Sequence, residues 1–80
     1  SVFTMYPNPA KDVLTLQYDL AVTNATVEVF DVTGRLIHEG ALNSVTGSSE
    51  LNVSTYPAGM YMLVVKHADT ILWQNKLIIK

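Results

Sequence analysis

Cysteine is missing from this sequence altogether. Small extracellular domains often depend on disulfides, so this chain has to hold together by packing alone. Charge is scarce as well: charged residues make up 15% of the chain, against 49% apolar. That is the reverse of the balance that keeps a segment disordered. The five basic residues are spread along the chain, and the net charge is −2. Without a basic patch or stripe there is no electrostatic footprint of a nucleic-acid binder. No uninterrupted apolar run approaches the ~20 residues of a membrane helix, so no membrane span is expected. No signal peptide pattern is present, and Ser1 is not an initiator Met. The expectation is one domain, residues 1–80, cut from a longer protein that carries any targeting segment elsewhere.

What the sequence does have is a period of two. In Val13 to Leu20, the residues Leu14, Leu16, Tyr18 and Leu20 alternate with Thr15, Gln17 and Asp19, as in a half-buried strand. Ala25 to Val32 repeats the alternation with Val27 and Val29, after a turn at Asn24. Thr33-Gly34 is the next turn, where glycine supplies a positive φ. Leu36 to Glu39 reads as a short strand running toward Leu42, and Asn43 to Ser49 as a polar loop. Glu50 to Ser54 is a further strand, followed by a turn at Pro57-Ala58-Gly59. Met60 to His67 is apolar on both faces, with Tyr61, Leu63 and Val65 on one and Met60, Met62 and Val64 on the other. A strand of that kind is central, or has a second face that meets another surface. After a turn at Ala68 to Thr70, Ile71 to Lys80 closes the chain. About seven short antiparallel strands with regular turn signals predict an all-β sandwich. Pro7-Asn8-Pro9 then marks the corner between a first strand, Val2 to Tyr6, and the first long one, with Asn8 bonding nearby backbone.

Residues that could carry chemistry are few. His38 and His67 are the only histidines, and their spacing does not offer the converging ligands of a metal site. No serine lies in a nucleophile elbow. Gly34 and Gly59 are isolated turn glycines, not a phosphate-cradling loop. Asp12, Asp19, Asp31 and Asp69 are scattered, and Asp31 is placed to cap the Thr33-Gly34 turn. Trp73, with Tyr61 and Met62, is either a binding face or a core and rim aromatic. Catalytic, cofactor and metal residues are therefore all expected to be absent.

The order of short motifs goes further. Y-P-N-P-A-K-D-V-L at Tyr6 to Leu14 is followed by V-E-V-F-D-V-T-G-R at Val27 to Arg35. L-N-V-S then stands at Leu51 to Ser54, P-A-G-M-Y at Pro57 to Tyr61, and K-L-I-I-K at the end. Together these closely resemble the C-terminal sorting domain (type A) of proteins exported by the type IX (Por) secretion system of Bacteroidetes. The resemblance implies an immunoglobulin-like sandwich at the end of a secreted parent, read as an address by outer-membrane type IX components after the parent has reached the periplasm. It implies that a sortase-like surface protease removes the domain from many cargos while others keep it, and that the parent ends up secreted or at the cell surface. The motif residues carried over are Pro7, Asn8, Pro9, Asp31, Gly34, Gly59, Tyr61, Lys76 and Lys80. Those that folding does not demand are Lys76 and Lys80, with Trp73, Gln74 and Ile78 beside them. A receptor adding its own strand to the edge of the last strand would read them there. The chain is expected to be a monomer or a weak homodimer joined through an unpaired edge. An accessory sandwich of a secreted hydrolase, binding carbohydrate or protein, is the other reading of the same pattern.

Overall fold

The structure is a computed structural model that describes residues 2–19, 24–42 and 46–80. It consists of β1 (Val2–Tyr6), β2 (Val13–Asp19), β3 (Ala25–Asp31), β4 (Leu36–Leu42), β5 (Thr46–Asn52), β6 (Gly59–His67) and β7 (Thr70–Ile79). All paired strands are antiparallel. One sheet has the order β1-β2-β5 and the other β4-β3-β6-β7. This is the immunoglobulin-like sandwich, with the fourth strand moved to the sheet of strands three, six and seven.

The alternation predicted from the sequence is what fills the space between the sheets. Leu14, Leu16 and Tyr18 point inward from β2, Val27 and Val29 from β3, and Tyr61, Leu63 and Val65 from β6; all are buried. Leu77 and Ile79 complete this face from β7. β6 lies between β3 and β7, as its two-sided apolarity requires. On its outer face Val64 is buried, whereas Met60 and Met62 are exposed. Beside them Glu28 is buried on the outer face of β3, where Lys66 of β6 approaches it to 3.5 Å.

Two expectations are corrected. The stretch from Asn43 to Ser49 was predicted as a loop, yet Thr46 to Ser49 belong to β5. Gly47, Ser48 and Ser49 have little strand preference of their own, but they pair with Tyr18, Gln17 and Leu16 of β2, and a partner strand's ladder overrides weak propensity. Residues 43–45, and Leu20, lie outside the described residues. The strand predicted to run to Ser54 stops at Asn52, where the Asn52 Oδ1 accepts the Ser54 N–H at 3.0 Å and turns the chain.

The two long sides of the sandwich differ. On the β1/β7 side, Phe3 and Trp73 stack with ring centroids 5.3 Å apart and planes 16° apart. Trp73 is therefore a half-buried rim aromatic, not an open binding platform. On the other side, the edges of β4 and β5 flank a slot of about 60 Å³ over Leu14, Leu16 and Leu63.

Candidate recognition surface

The corner at Pro7-Asn8-Pro9 has cis peptide bonds before both prolines. It joins β1 to β2 within one sheet and, on the way, meets the end of β7 in the other. Asn8 was expected to bond nearby backbone; instead its side chain reaches β7. Its Nδ2 donates to the Lys76 carbonyl at 3.0 Å, and its Oδ1 accepts the Ile78 N–H at 3.0 Å. The fully buried Ala10 continues the same line: its N–H donates to the Ile78 carbonyl at 2.8 Å, and its carbonyl accepts the Lys80 N–H at 2.9 Å. The Lys76 N–H is taken by the Asn75 side chain at 2.8 Å. The outer edge of the last strand is thus already occupied from Lys76 onward. A partner strand could not pair with that stretch without displacing the corner, which corrects the expectation of an open final edge.

The D-V-T-G-R motif builds the β3–β4 turn. The Gly34 N–H donates to the Asp31 carbonyl at 3.0 Å, the Asp31 N–H to the Arg35 carbonyl at 3.0 Å, and Gly34 has φ +88°. This is a three-residue hairpin loop closed by a left-handed glycine. The Asp31 Oδ1 accepts from the Thr33 N–H at 2.9 Å, the Arg35 N–H at 3.1 Å and the Thr33 hydroxyl. Arg35 Nε lies 3.4 Å from Oδ2. The Thr33 hydroxyl above all, with the backbone donors and the Arg35 charge, holds the Asp31 carboxyl below its usual range against a smaller opposing effect of desolvation. Asp31 is a turn former here, as its spacing predicted.

The P-A-G-M-Y motif forms the corner entering β6. The Tyr61 hydroxyl donates to the Pro57 carbonyl at 2.5 Å, the tyrosine corner of immunoglobulin-like sandwiches. Gly59 has φ +152°, and a Cβ placed there would meet nothing within 4 Å. The constraint on Gly59 is therefore conformational and not one of space. Tyr56 packs against Tyr61 at 5.5 Å; burial, and then the neighbouring Tyr61, push its phenol up.

Strand register brings these motifs together. Asp31 pairs with Tyr61, Tyr61 with Leu77, and Gly59 with Ile79, which in turn bridges to Ala10. The L-N-V-S turn joins the same end through the Val53 N–H, which donates to the Asp12 carbonyl at 2.8 Å. Five stretches dispersed over the sequence thus meet at one end of the sandwich. Pro7, Asn8, Pro9, Asp31, Gly34, Gly59 and Tyr61 shape it. Lys76 and Lys80 are exposed there, as is Gln74, whereas Ile78 is half-buried. Sequence reasoning did not single out Val32, which is 74% exposed at the turn tip; it did place Met60 and Met62 on a second apolar face of β6, and both are exposed there. Among the described residues no three His, Asp or Glu side chains gather as metal ligands, and no helix is long and apolar enough to cross a membrane.

Comparison with known proteins agrees with this geometry. A stretch of an ulvan lyase, NLR42 of Nonlabens ulvanivorans, is 31% identical over 75 residues, which is 94% of this chain. The chain spans 14% of the length of that relative. The family model of the secretion system C-terminal sorting domain matches residues 4–80, from β1 to the last residue. The chain belongs to the C-terminal sorting domains of type IX secretion, which are non-catalytic signals for export to the cell surface or beyond.

Proposed function

We propose that residues 1–80 form the C-terminal address of a longer exported protein, and that the outer-membrane type IX components read this address at the end of the sandwich where the motifs meet. A sortase-like surface protease then acts on the exported parent, and the parent's own activity resides outside this domain. The observation that carries the reading is the division of labour at that end. Folding uses seven of the nine motif residues through turns, the corner and the tyrosine hydrogen bond. The side chains of Lys76 and Lys80 are exposed and enter no ion pair among the described residues. Residues that the fold does not consume are available to a partner.

Removing the domain from its parent tests this. The expected outcome is cargo stranded in the periplasm. Normal export with weakened binding of the parent to its substrate would instead identify an accessory binding module. Within the domain, Lys76→Ala with Lys80→Ala is expected to leave the melting temperature unchanged, because exposed charges seldom shift stability by more than ~0.5 kcal/mol. The same double variant is expected to lower export of the cargo. Full secretion of the variant would take the two lysines out of the address.

A further inference from the structure

Resting on the sorting reading, we infer that the outer face of the four-stranded sheet, at the motif end, is the docking surface, and that its partner is a protein surface with an apolar centre and an acidic rim. Cross-strand register lays Leu36, Phe30, Met62 and Lys76 in one row across all four strands of this sheet. Met60 and Ile78 form the adjacent pair. Leu36, Met60 and Met62 are 44%, 48% and 39% exposed. Leu36 is on β4 and both methionines are on β6, and Phe30 of β3 joins them into one apolar face, which is a mark of an interaction site. Methionine suits such a face because its flexible, polarisable side chain adapts to a partner. None of these side chains contributes to the core between the sheets.

Charge identifies the rim of the partner. Four of the five basic residues, Lys11, Arg35, Lys76 and Lys80, lie at the motif end, against two of the seven acidic ones, Asp12 and Asp31. The remaining acids are on the strand bodies and at the opposite end, so a chain of net charge −2 presents a cationic end. Asp31 is already turned to Arg35 and the backbone of its own turn. An acidic rim would meet Lys76 and Lys80 without a competing acid between them, which favours encounter and orientation. A second copy of this chain would bring the same cations together, so self-association through this face is disfavoured.

The test is export of the parent in its own host, with the melting temperature of the 80-residue chain measured for each variant. Met60→Thr with Met62→Thr is expected to keep the native melting temperature and to lower surface delivery at least tenfold. Ile71→Thr, an equally apolar exposed site at the far end of β7, is expected to export as the native chain does. Replacing Lys76 and Lys80 by Arg, Ala and Glu is expected to lower export in that order. Native export of the methionine variant would overturn the apolar centre and leave a purely anionic ligand such as a lipopolysaccharide. Equal export of the Ala and Glu variants would overturn the acidic rim, and loss of export in Ile71→Thr would overturn the location. If deleting the whole domain left export intact, the sorting reading itself would fail, a result distinct from all of these.

Discussion

At the residue scale, the motif positions are explained by backbone geometry and hydrogen bonding before any partner is invoked. Gly59→Val introduces a β-branched side chain at φ +152° where space is open, so the loss is strain alone, on the order of 1–3 kcal/mol. Thermal melting measures it, and an unchanged midpoint would mean the backbone relaxes at no cost. Asp31 makes a prediction in pH. Its carboxyl is held below the usual range by the Thr33 hydroxyl and the turn amides. A carboxylate with a lowered folded-state pKa contributes its stabilisation above the unfolded value of ~3.9 and loses it as pH falls through the folded value. The melting difference between the native chain and Asp31→Asn is therefore expected to be largest near neutral pH and to shrink below about pH 4. A difference that stayed constant down to pH 2 would show that the charge of Asp31 is not what matters.

At the element scale, the decisive contact is the clamp of Asn8 and Ala10 on the end of β7. Asn8→Asp keeps the acceptor for the Ile78 N–H and removes the donor to the Lys76 carbonyl; Asn8→Ala removes both. Each net hydrogen bond contributes about 1 kcal/mol. Amide hydrogen exchange at Ile78 is expected to accelerate in the Ala variant and to stay near native in the Asp variant. Equal acceleration in both would mean that packing of the corner, not the Asn8 oxygen, protects β7. The limits of the sequence show at this contact. The alternation in β2, β3 and β6 was legible because each strand carries its own inward face, and the Asp31 turn was legible because its partners are four residues away or fewer. The bonds of Asn8 span 68 and 70 residues, and nothing local encodes them. β5 was half-missed for a related reason: Gly47 to Ser49 become strand only through the ladder of β2. The meeting of the motifs at one end follows from strand order, which periodicity does not contain.

At the scale of the whole molecule, the sandwich divides its work between its two ends and its two sheets. The core between the sheets supplies stability without a disulfide, while the outer face at the motif end holds apolar side chains and lysines that the core leaves free. The far end carries turns such as Ala68-Asp69, with Ala68 at φ 54°, and no part of the motif set. Such a module can be attached to unrelated activities, because its function lies in its own surface and not in the parent's chemistry. The most direct test is therefore transplantation. A reporter with an inner-membrane signal at its N-terminus is fused to these 80 residues at its C-terminus, expressed in a type IX-competent host, and assayed in the periplasmic, surface and extracellular fractions. The account predicts a reporter outside the outer membrane when it is made with the domain and in the periplasm when it is made without it. A reporter that stays in the periplasm with a folded domain attached would contradict the claim that this sandwich is by itself the address.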